Sequence, residues 1–220
     1  MKIIKEGFPF IIVPLLAGLG FIVIPCALGL GIPALFYVCL AAGIILIIFA
    51  LFCAFFFRDP KIIVNGGADT GTAGAGLILS PCNGTVLEIE ETETEKILRV
   101  FLSIFNVHLQ RSPVAGTVRD VAHKDGKFYA AWNPLAQSEN EQNIITIEGN
   151  AGVFVVRQIA GFLARRCVSW VKAGDELRAG DKIGLIKFSS QVDLHMPKGA
   201  EITVKAGDKV RAGVTPVGTI

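Results

Sequence analysis

The sequence predicts a mainly β soluble domain carried by an N-terminal transmembrane helical hairpin. First, no charged residue occurs between Glu6 and Arg58, although 18% of the chain is charged and 52% is hydrophobic. Second, the rest of the chain has ordinary composition and contains repeated phrases rich in Gly, Val and Ile, a pattern typical of β-hairpins. These observations exclude a soluble cytosolic enzyme, and the net charge of +2 does not indicate a nucleic-acid partner.

The uncharged run is long enough for two membrane spans. A bilayer core takes about 20 apolar residues as a helix, which predicts spans at Phe8–Leu28 and Pro33–Phe57 with a turn at 29–33. Three prolines in the first span predict a kinked or partly re-entrant helix. A cleaved signal peptide fits poorly, because the run is far longer than an h-region.

Basic residues bracket the predicted hairpin. Lys2 and Lys5 precede it, and Arg58 and Lys61 follow it. Positive charge marks the cytoplasmic side of a membrane protein, so both ends of the hairpin are expected there. We therefore expect a membrane anchor at residues 1–60, a flexible linker at 61–76, and a β-rich domain at 77–220 on the cytoplasmic side of the cell membrane.

Two pairs of repeated phrases organise the soluble part. The phrase S-P-x-x-G-T-V begins at Ser80 and again at Ser112, and V-K-A-G-D-x-(L/V)-R-A-G begins at Val171 and again at Val204. Their turn residues and alternating apolar residues predict a barrel-sandwich-hybrid-like fold. The second phrase resembles the hairpins of biotinyl and lipoyl carrier domains. This resemblance indicates the fold more than the function. Further predicted strands are Ile97–Phe105, Asn143–Glu148, Val153–Ile159, Lys182–Phe188 and Glu201–Lys205, with one short helix at Leu135–Glu141.

The five cysteines do not have the spacing of a metal site. Cys26, Cys39 and Cys53 lie in the apolar run, and Cys82 and Cys167 are far apart in the soluble part. We predict free, buried thiols and neither a disulfide framework nor a bound metal.

Several passages, taken in order, resemble the short membrane-bound type of phosphatidylserine decarboxylase. The resemblance spans nearly the whole chain, and it rests on the order and spacing of the phrases together. A further passage, Ile186–Leu194, lies where that family carries its self-cleavage site. The matching passages are Phe56–Pro60, Ser80–Gly84, Leu102–His108 with Arg111–Pro113, Glu139–Asn143, and Gln158–Gly161 with Ala164–Arg166.

The resemblance implies a proenzyme that cuts itself between Ser189 and Ser190. It further implies that Ser190 becomes a covalent pyruvoyl group, which receives the substrate amine and acts as the electron sink for loss of carbon dioxide. The implied activity converts phosphatidylserine to phosphatidylethanolamine in phospholipid biosynthesis. The expected partners are the phospholipid substrate, the membrane, the chain's own two fragments after cleavage and a second copy in a homodimer, without nucleic acid.

The resemblance also assigns roles to other polar residues. His108 matches a histidine near the pyruvoyl, where a near-neutral pKa suits proton donation, whereas a partly buried strand histidine is the structural alternative. Arg165 and Arg166 are candidates for holding the substrate phosphate or carboxylate, or form a solvated strand end. His123 and His195 match no functional position, so we interpret both as structural.

Three residues depart from the family pattern at the processing step. Asn83 replaces an acidic residue of the S-P-A-D-G phrase, Ser189 replaces the glycine before the reactive serine, and Gln191 replaces an arginine. A neutral amide cannot accept a proton, and a serine lacks the backbone freedom of glycine. Two hypotheses follow: the chain matures slowly by a modified route, or it is an unprocessed, inactive relative.

Other classes of protein remain as alternatives. A non-enzymatic membrane-tethered adaptor would explain the anchor and the V-K-A-G-D hairpins, but not the ordered Ser-Pro, Asn-Val-His and Glu-Asn-Glu phrases. A biotin or lipoyl carrier is less well supported, because neither hairpin has a lysine at its tip in the required context. Mass spectrometry separates these alternatives, since a carrier has a lysine adduct, an adaptor is intact, and a mature decarboxylase consists of two chains.

Overall fold

The chain consists of two compact units. The computed structural model describes residues 2–27, 33–64, 76–129, 135–161, 166–187 and 190–220. Its contacts divide the chain into Met1–Lys61 and Ile62–Ile220. The turn expected at 29–33 lies largely outside the described residues, and so does most of the linker expected at 61–76.

The N-terminal unit is a pair of apolar helices, as the sequence predicts. Helix α1 covers Phe8–Ala27 and helix α2 covers Pro33–Phe56. Both are long and apolar enough to cross a membrane. Helix α1 continues as one unbroken helix through Pro14 and Pro25.

Small residues allow the two helices to approach each other closely. A Cβ atom at Gly18 would lie 2.8 Å from the carbonyl oxygen of Gly43, and a Cβ at Gly43 would lie 2.7 Å from that of Gly18. Glycine at such crossings is a common feature of membrane helix pairs. Strand β1 (Lys2–Ile3) precedes α1 and is connected to it by a 3-10 helix, Lys5–Gly7. Strand β2 (Arg58–Asp59) follows α2 and pairs antiparallel with β1. The two ends of the hairpin therefore lie together.

The C-terminal unit is mainly β, which confirms the predicted fold class. Among the residues that the structure describes in this unit there is one short helix, α3 (Ala136–Glu139). The fourteen strands in the described part of the unit are β3 (Leu77–Leu79), β4 (Gly84–Glu91), β5 (Glu95–Leu102), β6 (Leu109–Arg111), β7 (Gly116–Lys124), β8 (Gln142–Gly149), β9 (Gly152–Ala160), β10 (Arg166–Ser169), β11 (Glu176–Leu177), β12 (Lys182–Lys187), β13 (Ser190–Pro197), β14 (Glu201–Ile202), β15 (Lys209–Val210) and β16 (Pro216–Thr219).

The strands form one large sheet and two small ones. The large sheet has eight antiparallel strands in the order β11-β7-β8-β9-β13-β5-β4-β15, and the small sheets have the orders β10-β12-β6 and β14-β16-β3. Alternate residues of the central strand β13, namely Val192, Leu194 and Met196, are buried in a core that also receives Ile183 and Ile186 of β12. Burial of this apolar face is the main stabilising contribution to the unit.

The repeated phrases form equivalent structures. In the second S-P-x-x-G-T-V phrase the N–H of Val118 donates to the carbonyl of Asp175 at 2.8 Å, and in the first the N–H of Val86 donates to that of Asp208 at 2.9 Å. Each Ser-Pro phrase is therefore paired with one V-K-A-G-D hairpin. The two Ser-Pro phrases also bond reciprocally, because Arg111 N–H donates to Pro81 and Leu79 N–H to Pro113. This internal pseudo-twofold arrangement agrees with the predicted barrel-sandwich-hybrid fold.

The structure differs from the predicted strands at two places that concern the site. The strand predicted at Ile97–Phe105 ends at Leu102, because the Asn106 side-chain oxygen accepts from the N–H of Ser103 at 2.9 Å and closes a turn there. The central strand β13 is absent from the predictions. Its alternating pattern is regular, but its polar residues Gln191 and Asp193 are buried, so they do not mark an exposed face.

Candidate active site

One end of the large sheet collects most of the phrases that carry the family resemblance. Ser190 begins β13 and pairs with Leu102, the last residue of β5, and with Ala160, the last residue of β9. On the β5 side, pairing of Thr85 with Phe101 brings the start of β4 to the same end. On the β9 side, the N–H of Ala160 donates to the carbonyl of Glu141 at 2.9 Å. We call this the Ser190 end of the sheet. Ser189 lies outside the described residues.

His108 follows the loop that leaves the Ser190 end after β5. The residue is fully buried, and its Nδ1 lies 3.0 Å from the carbonyl oxygen of Asn106. A carbonyl only accepts hydrogen bonds, so this contact assigns the hydrogen of the neutral ring to Nδ1 and the lone pair to Nε2. The backbone carbonyl of His108 accepts from the N–H of Ile186, 3.2 Å away, near the end of β12. The histidine is therefore fixed to the segment that leads into Ser190.

A chain of buried amide side chains leads away from His108. The Nε2 of Gln110 donates to the His108 carbonyl at 2.8 Å, and Gln158 donates to Gln110 Oε1 at 2.7 Å. Asn143 then donates to Gln158 Oε1 at 3.0 Å, and its own oxygen lies 2.7 Å from Nδ1 of His123. The hydrogen bond to Asn143 is the main cause that raises the pKa of His123. This amide chain satisfies polar groups that would otherwise be buried at a cost.

The Glu-Asn-Glu phrase holds the strand end that faces Ser190. Asn140 is fully buried, and its amide group donates to the carbonyl of Ala160 at 2.7 Å and to that of Tyr129 at 2.9 Å. Glu141 is turned towards β10, where its Oε1 accepts from the N–H of Cys167 at 3.1 Å. These bonds fix the end of β9 at the site. The Glu-Asn-Glu phrase therefore has a structural role.

A charged cluster lies behind the site on the opposite face of β13 from the core. Asp193 is only 2% exposed and accepts from the Gln191 side chain at 2.6 Å. The Nε of Arg99, on β5, lies 3.7 Å from its second oxygen, and Arg99 Nη1 donates to Glu88 at 2.8 Å. Burial raises the pKa of the Asp193 carboxyl, against the opposing hydrogen bond from Gln191 and the charge of Arg99. Sequence reasoning missed the Arg99–Asp193 pair.

Asn83 lies at the Ser190 end, and its side chain bonds to the second V-K-A-G-D hairpin. It precedes the first residue of β4, and its Oδ1 accepts from the N–H of Ala212 at 3.1 Å. This bond joins the first Ser-Pro phrase to the second V-K-A-G-D hairpin. An aspartate oxygen at position 83 could accept the same bond.

The remaining predicted residues are distributed as follows. Arg166 begins β10 directly opposite Lys187 at the end of β12, whereas Arg165 lies outside the described residues. His195 pairs with Ile97 near the other end of β13, and its Nδ1 lies 3.0 Å from Glu95. Among the residues that the structure describes, no group of three or more His, Cys, Asp or Glu side chains is arranged to hold a metal ion.

Comparison with known proteins assigns the family. The family model for phosphatidylserine decarboxylase matches residues 49–218. A phosphatidylserine decarboxylase proenzyme of Solibacter usitatus is 39% identical over 76% of this chain and 78% of its own length. One from Wolbachia of Brugia malayi is 34% identical over 98% of this chain and 90% of its own length, and one from Parabacteroides distasonis is 41% identical over 64% and 68%. The chain belongs to the phosphatidylserine decarboxylase family.

Proposed function

We propose that this protein removes the carboxyl group of phosphatidylserine to form phosphatidylethanolamine, with a pyruvoyl group made from its own Ser190. The observation that carries the proposal is the convergence of the family's phrases at the Ser190 end of the sheet. The start of β13 is held there between the ends of β5 and β9, and His108 is bonded to the preceding strand. Family membership and this arrangement support the same site.

The proposed maturation uses the chain's own atoms. The hydroxyl oxygen of Ser190 attacks the carbonyl carbon of Ser189, the Ser190 nitrogen leaves that carbon, and the peptide bond becomes an ester. Loss of the Ser190 Cα proton and departure of the Ser189 carboxylate then cleave the chain and leave a dehydroalanine. Its hydrolysis releases ammonia and leaves the pyruvoyl group at the start of a chain that runs from residue 190 to Ile220. The pyruvoyl group supplies the electron-withdrawing carbonyl that decarboxylation requires.

His108 is the proposed proton carrier of the site. Its Nδ1 hydrogen is held by Asn106, which leaves Nε2 as the basic atom of a neutral ring. Such a ring can take the proton of a serine hydroxyl during maturation and can return a proton to the carbon from which carbon dioxide has left. The bonds from Ile186 and Gln110 to its backbone carbonyl fix its position.

The two membrane-spanning helices place this chemistry at a bilayer in our proposal. Both ends of the hairpin lie together and carry Lys2, Lys5 and Arg58, which favours the cytoplasmic side. Cysteine labelling by a membrane-impermeant reagent in intact cells should therefore miss cysteines added at either terminus. Strong labelling of the C-terminus would overturn this orientation.

A comparison of histidine variants tests the role of His108. The His108→Ala variant should lose about 10²–10⁴-fold in decarboxylation of phosphatidylserine, the usual contribution of a positioned acid or base. His195→Ala is the matched control, because His195 lies on β13 towards the end opposite Ser190, where its Nδ1 lies 3.0 Å from Glu95. Full activity of a folded His108→Ala chain would show that the assigned role is wrong.

The departures from the family pattern give a second test, which concerns maturation. Asn83→Asp returns an acid to the Ser190 end while retaining an acceptor for the N–H of Ala212. Ser189→Gly returns conformational freedom to the scissile carbonyl. The double variant should cleave faster than either single variant, because groups that act in one step are coupled. A parent and a double variant that both stay uncleaved would favour the unprocessed-relative hypothesis.

A further inference from the structure

We propose that Gln191 is a positioning residue, which keeps the start of β13 in the sheet after the chain has been cut in front of it. The inference rests on the proposed function, because residue 190 becomes a chain end only if the chain cleaves between Ser189 and Ser190. It goes beyond that function, because Gln191 neither forms the pyruvoyl group nor carries a proton. Gln191 acts through a hydrogen bond to the buried carboxylate of Asp193.

The start of β13 loses a covalent connection when the chain is cut. In the uncut chain residue 190 is joined to β12 through residues 188–189, whereas in the mature protein it is the first residue of its chain. Its sheet partners are Leu102 and Ala160, the last residues of β5 and β9. Chain ends are poorly ordered unless other contacts hold them, and a displacement of about 1 Å can reduce a rate about 10²-fold. Full activity therefore requires a further contact that holds the new chain end.

The Gln191 side chain supplies this contact. Its Nε2 donates to Oδ1 of Asp193 at 2.6 Å, and the two residues are 3% and 2% exposed. Residues two apart in a strand lie on the same face, and this face is opposite the one from which Val192 and Leu194 enter the core. The bond therefore runs along the first residues of β13. If residue 191 left the sheet, a buried carboxylate oxygen would lose its donor, which is unfavourable.

Asp193 is itself held from both sides. It is directly opposite Arg99 on β5 and Arg157 on β9. The Nε of Arg99 lies 3.7 Å from Oδ2 of Asp193, and Nη2 of Arg157 is fixed by a bond of 2.7 Å to Gln142. Burial raises the pKa of the Asp193 carboxyl, and the bond from Gln191 and the charges of both arginines oppose this rise. Asp193 therefore stays in place when residue 190 becomes a chain end.

Hydrogen exchange of the cleaved protein tests this role without requiring activity. Gln191→Leu removes the donor but keeps a side chain of similar size between two apolar neighbours, Phe101 and Ile159. The backbone amides of residues 191–193 should exchange about 10–100-fold faster in this variant than in the cleaved parent. In a Ser190→Ala background, which cannot cleave, the same substitution should leave their exchange unchanged. Gln191→Arg keeps an N–H donor for the carboxylate, so it should exchange like the parent.

Decarboxylation provides the second readout. Gln191→Leu should cleave at the rate of the parent, but its kcat for phosphatidylserine per pyruvoyl group should fall about 10–100-fold. Gln191→Arg should restore kcat. The control is His195→Leu, which loses the contact with Glu95 towards the end of β13 that is not cut. Its kcat and its exchange at residues 191–193 should match those of the parent.

The outcomes separate this proposal from the function on which it rests. Parental exchange and kcat in cleaved Gln191→Leu would overturn the proposal, and so would a Gln191→Leu chain that fails to cleave. Equally faster exchange in the uncleaved Ser190→Ala background would show a general structural role and overturn it as well. A cleaved parent that consumes no phosphatidylserine would refute the proposed decarboxylation alone, because exchange still reports on Gln191. A parent that stays whole would overturn both.

Discussion

Replacement of Gln158 by leucine should reveal how strongly the amide chain behind His108 stabilises the β unit. Gln158 is fully buried on β9, and its side chain makes two short bonds, 2.7 Å to Gln110 and 3.0 Å from Asn143. Leucine has a similar size but neither donates nor accepts. The variant therefore leaves an oxygen of Gln110 and an N–H of Asn143 buried without their partner.

The expected loss follows from these two groups. Each buried neutral polar group that loses its partner costs about 1–3 kcal/mol, so two such groups cost about 2–6 kcal/mol. The added apolar surface of leucine offsets on the order of 1 kcal/mol of this. A net loss of about 3 kcal/mol in a unit of this size lowers Tm by about 6–12 °C.

Thermal unfolding of the full chain in detergent, followed by circular dichroism in the β region, measures this loss. Gln137→Leu is the matched control, because Gln137 lies outside the amide chain and bonds to Gln142 through its backbone carbonyl, which the substitution retains. The double variant Gln110→Leu with Gln158→Leu should lose less than the sum of the two single variants, since the Gln110–Gln158 bond is counted once. A Tm of Gln158→Leu equal to that of the Gln137→Leu control would refute the assigned contribution of the amide chain.

Three further predictions concern the same unit. A methyl group at Gly84 would collide with the carbonyl oxygen of Phe101, so Gly84→Ala should lose about 1–3 kcal/mol or more, whereas Gly199→Ala, with no atom within 4 Å, should keep its Tm. Burial raises the pKa of Asp193 above its ordinary 3.8, so the parent loses stability as the pH rises from 3.8 through the pKa of the folded state. Over that pH range the Tm of the Asp193→Asn variant should rise relative to the Tm of the parent. A Tm difference that does not change with pH would contradict the raised pKa. Burial, together with the charges of Asp193 and Glu141 respectively, raises the pKa of the Cys82 and Cys167 thiols, so maleimide should add to them, as followed by mass, only after unfolding.

The repeats are the part of the fold that the sequence predicts best. Their Gly-Asp turns need backbone freedom that is visible in the residues themselves, and Gly174 and Gly207 have φ angles of +90° and +91°. The pairing of each hairpin with one Ser-Pro phrase was not predicted, because it depends on contacts between residues far apart in the chain. The two apolar helices are also predictable from sequence, since the absence of charge is a local property.

The site is predictable only in part, because its residues are far apart in the sequence. The phrases around Ser190, His108 and Asn140 are recognisable as a series, but their meeting at one sheet end depends on the register of β5, β9 and β13. The Arg99–Asp193 pair needs the same register. A strand whose polar face is buried has the same alternation of polar and apolar residues as a strand whose polar face is in solvent. The pattern of β13 therefore did not indicate that it is a central strand of the sheet.

Intact-mass spectrometry of the purified full chain tests the central claim most directly. The account predicts two chains, the smaller running from residue 190 to Ile220 with a pyruvoyl group in place of its N-terminal amine, and a Ser190→Ala variant that stays whole. The parent preparation should also release carbon dioxide from phosphatidylserine. A single unmodified chain of 23.5 kDa in both preparations, with no phosphatidylserine consumed, would contradict self-cleavage at Ser190 and with it the proposed function.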